Sequence, residues 1–286
     1  MIDREHMQAL FARGADADVH DLLLPSELYH ENSKTRRGVL DLLRRGAEDP
    51  VTGAALRRAD ARLRRLQDLV QFGAKSYPHL PRVPLPACPG PLGCDLADVI
   101  RRRVSDRRLG GAVGLPALAT LLQLGYGVTR YADPASVRRP RRAVPSGGGL
   151  YPLEIYALVL ATEGLEPGVY HFEVFDRVLE QLPSHDLAAQ VRTCFLDDDL
   201  ATGAAIMIVL TAILRRLRHK YGDMAYRLAL VEAGHVAQNV CLVATGLGLG
   251  VCPLAGYVDD ALNDLLGLDG VDETVVYAVA VGPREA

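Results

Sequence analysis

The run Pro145-Ser146-Gly147-Gly148-Gly149-Leu150-Tyr151-Pro152 constrains this chain more than any other stretch, and an apolar segment from Leu153 to Leu160 follows it at once. Three consecutive glycines between prolines do not propagate a helix or a strand. Glycine loses the most backbone entropy on ordering, and proline lacks an amide donor. Such a run can form a bare loop whose N–H groups, unshielded by any Cβ, approach a flat or anionic ligand closely. The β-branched and aromatic residues after it predict a strand over 155–160. A plain turn into that strand is the competing reading of the loop.

The chain has 286 residues, 49% of them hydrophobic, enough for one large domain or two small ones with a substantial core. Its net charge of −3 creates no overall field for nucleic acid or an anionic membrane. The five cysteines are scattered without paired spacing, which fits a reducing cytoplasm and offers neither a disulfide framework nor a zinc pattern. The charged N-terminus lacks the apolar core of a secretion signal. The longest uninterrupted apolar runs are shorter than a bilayer-spanning helix requires.

Leucine spacing predicts helices across residues 1–76, an N-terminal helical extension. Prolines then crowd residues 77–94 (Pro78, Pro81, Pro84, Pro86, Pro89, Pro91) and predict an extended linker. The main domain is expected over 95–286. There the pattern predicts a helix around Leu118 to Leu124, strands over 168–174 and 178–182, and a fully buried strand over 205–211. A long helix over 225–245, a turn over 251–257, a short helix over 259–266 and a last strand over 274–281 complete it. Strands interspersed with helices indicate α+β, helices packed on a sheet.

Two further clusters carry chemistry. Arg103-x-Ser105-x-Arg107 can hold a phosphate, since guanidinium forks match its oxygens and the hydroxyl adds a donor; a solvated basic turn is the alternative. Lys220-Tyr221-Gly222 contains one of only three lysines, Lys34, Lys75 and Lys220. An exposed charge beside a packed ring is the competing reading there. His235, mid-helix in an apolar setting, reads as a satisfied core histidine.

Taken with Pro145-Ser146-Gly147-Gly148-x-Leu150-Tyr151-Pro152-x-Glu154, Tyr226-Arg227, Glu232-Ala233-Gly234-His235, Gln238-Asn239 and Gly248-x-Gly250-x-x-Pro253, these motifs resemble one family. It is the SagB-type dehydrogenases, the thiazole/oxazole-maturing branch of the FMN-dependent nitroreductase superfamily. The resemblance covers roughly residues 95–284, and Tyr29-His30-Glu31-Asn32-Ser33-Lys34 looks like that branch's upstream element. It implies a nitroreductase-like α+β fold, a central mixed sheet flanked by helices, in an FMN-binding homodimer with the flavin at the subunit interface.

By the same resemblance, Arg103, Ser105 and Arg107 hold the phosphate and flavin edge, and Pro145, Ser146 and Gly147 border the ring. The turn of Pro253, Leu254, Ala255 and Gly256 offers backbone N–H groups toward flavin N5, with Gln238 a further candidate. Two departures stand out: Ala255 replaces a common acidic residue, and beyond the last strand only Arg284 is left for a basic phosphate contact. The implied reaction is azoline oxidation, hydride to flavin and proton to a base, with Lys220 and Tyr221 as the catalytic pair. The substrate is then a peptide- or carrier-bound azoline, with a cyclase as possible partner. An NAD(P)H-dependent nitroreductase or flavin reductase, and a non-catalytic scaffold that stabilises a partner, are the alternatives.

Overall fold

The computed structural model describes Tyr29 and residues 74–87, 92–131 and 140–285. The chain divides into two compact units, Met1–Leu56 and Arg57–Ala286, and the architecture below belongs to the second. The expected N-terminal helices and the segment from His30 to Lys34 lie outside the described residues.

In chain order the elements are β1 (Arg82–Pro84), α1 (Leu96–Arg102), β2 (Val113–Gly114), α2 (Leu115–Tyr126), β3 (Val128–Tyr131) and β4 (Pro140–Arg142). A 3-10 turn (Gly147–Gly149) leads into β5 (Leu153–Val159), β6 (Thr162–Glu163), β7 (Gly168–Glu173) and β8 (Val178–Leu182). Then come α3 (Leu187–Cys194), α4 (Asp198–Gly203), β9 (Ile206–Ile213), α5 (Arg215–Tyr221) and α6 (Met224–Gly246). The chain closes with β10 (Gly250–Leu254), α7 (Asp259–Leu266) and β11 (Glu273–Gly282).

One seven-stranded sheet, in the order β1-β8-β7-β5-β9-β11-β10, organises the unit. Its neighbours pair antiparallel; among the described residues parallel pairing is confined to the separate β2–β6 ladder. The central strands β5 and β9 are buried at every position, so they read as continuous apolar runs rather than alternating ones. Their two faces feed two cores. Leu153, Ile155, Ile208 and Leu210 pack with Leu118, Leu122, Val236 and Val240 of α2 and α6. Tyr156, Leu158, Met207 and Val209 pack with Val191, Leu200 and Leu262 of α3, α4 and α7. Each fully buried Leu or Ile contributes about 1.5–3 kcal/mol to this arrangement.

α6 lies on the sheet through Ala225, Ala229, Ala233, Val236, Ala237 and Val240. Small residues let its axis approach closely. By length and composition α6 could cross a membrane, yet more than half of its most apolar window is buried within the fold.

The α+β expectation holds, and three local readings are corrected. The proline-rich segment expected as a linker supplies β1, paired to β8 with Arg82 opposite Glu180, so it belongs to the sheet. Proline is tolerated there because β1 is an edge strand. Likewise Pro253 and Leu254 lie in β10, the opposite edge, facing Val279 and Ala278 rather than forming a turn. His235 is exposed on the outer face of α6 and is not a core histidine.

Candidate active site

The glycine run folds as one tight turn, with Gly149 N donating to Ser146 O at 3.0 Å and Leu150 N to Gly147 O at 3.3 Å. Gly148 and Gly149 take φ of +66° and +67°. A side chain in that left-handed region costs about 1–2 kcal/mol, which is why glycines occupy it. Tyr151 continues at φ +45° despite carrying a side chain. Three hydrogen bonds hold it there. Its N–H donates to Ser146 Oγ (2.9 Å), its hydroxyl accepts from Arg142 N–H (3.1 Å), and its carbonyl accepts from Arg216 Nη1 (3.1 Å).

Arg216 connects this loop to the catalytic candidates. It is buried in the first turn of α5, and its Nη2 meets Glu154 Oε1 at 2.5 Å. Burial raises the Glu154 carboxyl, but Arg216, His171 and Arg142 outweigh it and hold its pKa at about 2. One ionic clamp thus fixes α5 to the end of the glycine loop and the start of β5. Lys220 follows one helical turn after Arg216, on the same face. The ends of Lys220 and Tyr221 therefore arrive at Gly148. A Cβ built there would lie 2.8 Å from Tyr221 Oη and 2.9 Å from Lys220 Nζ. The amine sits 5.3 Å from the Tyr221 ring centre. Lys220 is exposed, Tyr221 half-buried, and bare backbone faces both.

Beneath the loop lies a buried polar layer. Tyr126 Oη donates to Glu232 Oε1 at 2.9 Å. The Arg142 guanidinium lies over the rings of Tyr126 (4.5 Å) and Tyr151 (4.9 Å). Burial pushes the Glu232 carboxyl up to about 7, opposed by Ser146, Tyr126, Arg142 and Arg216. Deeper in the sheet, His171 is held between Glu154 (3.0 Å) and Glu180 (2.9 Å). Burial disfavours its charge, yet the two carboxylates win and raise its pKa.

The expected site residues fall into two groups. Pro145, Ser146 and Gly147 lie with Lys220 and Tyr221, and a Cβ at Gly147 would meet Leu228 Cδ1 at 3.2 Å. Arg103, Ser105, Arg107 and Arg284 gather instead near the start of β10. Asp106 N donates to Val251 O (2.9 Å), and Asp106 pairs with Arg284 (3.4 Å). Arg103 Nη1 is 3.5 Å from Ser105 Oγ, whereas Arg107 is paired with Asp197 at 2.7 Å. Arg103 also acts on Cys241, whose thiol burial pushes up to about 11. Leu228 and Cys241 are thirteen positions apart on α6, so about 20 Å of helix separates the two groups within one protomer. Gln238 is exposed on α6 between them; Ala255 and Gly256 follow β10, with Gly256 O accepting from Leu196 N (3.0 Å).

The loop also borders a cavity of about 540 Å³ lined by Arg130, Arg141, Arg142, Ser146, Gly149 and Tyr151. A larger one, about 820 Å³, borders α5 through Arg215, Arg216 and His219 rather than through Lys220 or Tyr221. The sequence pattern did not single out Arg216, Tyr126 or His171, and Arg142, at the head of the glycine-loop stretch, carried no assigned role. The available signal was a charged residue inside an apolar strand or at its end, as with Glu154 and His171.

This fold and loop define a nitroreductase-like class of α+β protein, and residues 100–283 match the nitroreductase family. The chain belongs to that family. It is 35% identical over 177 residues to a nitroreductase homologue of Methanocaldococcus jannaschii, covering 60% of this chain and 83% of that one. It is also 35% identical over 142 residues to the microcin B17-processing protein McbC of Escherichia coli, covering 48% of this chain and 51% of that one. The chain thus spans about half the length of this peptide-processing relative. The E. coli microcin synthetase McbBCD complex, solved with truncated pro-MccB17, superposes with a TM-score of 0.54 at 25% identity, over 76% of this chain and 81% of that one. These peptide-processing homologues bear out the resemblance to the SagB-type branch.

Proposed function

We propose that this chain is an FMN-dependent dehydrogenase that oxidises thiazoline or oxazoline rings to azoles in a peptide natural product. It works in the cytoplasm as a homodimer on a peptide- or carrier-bound azoline, beside a cyclase partner. The observation that carries this reading is the placement of Lys220 and Tyr221 against the bare backbone of Gly148. The likeness to McbC and to its synthetase complex supports the substrate class.

The residues fit FMN in kind. The glycine turn offers a surface without Cβ atoms to a flat ring, and Arg103, Ser105 and Arg284 offer phosphate donors. When bound, FMN supplies the hydride acceptor. Lys220 Nζ takes the proton from the neighbouring ring carbon, and Tyr221 Oη beside it orients that exchange. Ser146 and Tyr151 fix the loop so that amine, phenol and backbone keep one geometry.

A second copy of the chain unites the two groups of residues that one protomer keeps apart. The outer face of α6 exposes Tyr226 (41%), Leu230 (40%) and Val231 (52%), and α1 exposes Leu96 and Ile100, with Val104 exposed just beyond its end. Contiguous apolar stripes of this kind mark contact surfaces.

Purified protein should be yellow and dimeric, and should convert an azoline peptide to its azole. Lys220→Ala should keep the flavin and lose oxidation; unchanged turnover removes the base assignment. The likeness to the archaeal nitroreductase homologue favours a second reading, NAD(P)H-dependent nitroreduction. Nitroaromatic turnover without azoline oxidation would select it. Colourless protein that still binds a cyclase would select a scaffold.

A further inference from the structure

Behind the glycine loop sits a carboxyl group that the reaction above does not use. Glu232 is 2% exposed on α6, and Tyr126 donates a hydrogen bond to its Oε1. Its Oε2 has no hydrogen-bond partner among the described residues. A buried carboxylate oxygen left in that state is costly, and native structures seldom keep one without a reason. Ser146 lies beside it and favours its charged form, short of an aligned bond.

Ser146 is the hub of the loop. Its carbonyl accepts from Gly149 N (3.0 Å), and its Oγ accepts from Tyr151 N (2.9 Å). With one Oγ lone pair engaged by the Tyr151 amide, its hydroxyl proton is available for donation to Glu232. We propose that Glu232 is a positioning residue for the flavin-facing loop: its carboxylate accepts a hydrogen bond from the Ser146 hydroxyl and keeps Ser146 Oγ turned to the Tyr151 amide, and its protonated form releases that latch. The role of the loop as the flavin's seat rests on the reading proposed above; the latch itself does not.

Protonation reverses the local donor pattern. A carboxylic acid at Glu232 must find an acceptor, and Ser146 Oγ is the one at hand. Its O–H then competes with the Tyr151 N–H for that oxygen. Tyr151, at φ +45°, loses one of the three bonds that hold it. The charged and titratable groups facing Glu232 are Tyr126 of α2, Arg142 of β4 and Arg216 of α5. Glu154 of β5 reaches this layer through its contact with Arg216. Of the carboxyls in that set only Glu232 has a pKa near neutrality, since Glu154 stays ionised down to about 2.

Amide hydrogen exchange of residues 147–151, corrected for intrinsic rates, tests the latch in flavin-free protein between pH 8 and pH 6. Wild type should lose protection about fivefold on acidification, the worth of one net hydrogen bond. Glu232→Gln, permanently neutral, and Ser146→Ala, lacking the hydroxyl, should each show a flat profile. In wild type the FMN dissociation constant, read by flavin fluorescence, should rise over the same interval; in Glu232→Gln it should not. A wild-type profile that is flat, or one that Glu232→Gln reproduces, overturns the proposal. Absence of FMN binding at every pH would sink the cofactor reading while the exchange profile still decides the latch.

Discussion

Gly148→Ala tests whether the bare loop positions the proposed catalytic pair, Lys220 and Tyr221. The substitution has two separable costs. Gly148 sits at φ +66°, where an alanine costs about 1–2 kcal/mol. The new methyl would also stand 2.8 Å from Tyr221 Oη and 2.9 Å from Lys220 Nζ. Ordinary carbon contacts begin near 3.5 Å, so both side-chain ends must retreat by roughly half an ångström or more. A displacement of about 1 Å in a reacting group can cost on the order of a hundredfold in rate. The expectation is a stability loss of about 1–2 kcal/mol by urea denaturation, with kcat for azoline oxidation down about tenfold to a hundredfold. Gly267→Ala supplies the control. It too has φ +66°, but nothing lies within 4 Å of its Cβ, so stability should fall similarly with kcat intact. If the two variants lose equal stability and Gly148→Ala keeps its kcat, the loop does not position Lys220 and Tyr221.

Glu232 also sets a pH dependence of stability. Its folded pKa, about 7, lies above the ordinary 4.5, so the native state binds the extra proton and stability falls as pH rises between those values. The shift corresponds to about 3 kcal/mol lost between pH 4.5 and pH 7, which denaturation curves of Glu232→Gln should not show. Val231→Asp, on the exposed stripe of α6, should shift the chain to monomer in light scattering and release the flavin without lowering the protomer's own melting temperature. Arg107→Ala removes an exposed ion pair to Asp197 worth less than about 1 kcal/mol. A rise in FMN dissociation constant beyond about fivefold would therefore report a ligand contact, and no change would remove Arg107 from the phosphate site.

Periodicity made most of the sheet legible. β9 is a run rich in β-branched residues and β5 a short apolar and aromatic run set directly after a glycine-proline turn, both of strand length. It could not expose β1 or β10, because Pro84 and Pro253 mimic loop chemistry and an edge position is a tertiary fact. His235 failed for a related reason. A helix apolar on nearly every side hides which face is outermost, and only packing against the sheet by Ala229, Ala233 and Val236 decides it.

The site divides along the same line. Pro145-Ser146-Gly147-Gly148 and Lys220-Tyr221 were visible because each is a contiguous string whose composition has few structural uses. Arg216 was not, and Glu232 was legible only as a member of the helix motif; a charged residue in a helix usually means solvent, and the burial of these two arises from partners 62 and 106 positions away (Glu154 and Tyr126). The loop has the geometry it does because those distant partners supply the charges and hydrogen bonds that glycine, with no side chain, cannot. Exchanging Arg216 for lysine therefore tests the whole arrangement. Lysine preserves the charge against Glu154 but cannot also reach the Tyr151 carbonyl with a second, forked donor. If Arg216 holds α5 and the loop in one register, Arg216→Lys should keep the fold by circular dichroism and lower kcat far more than it raises KM. An unchanged kcat would mean that the loop holds its shape unaided, and that Lys220 and Tyr221, the proposed catalytic pair, are positioned by α5 alone.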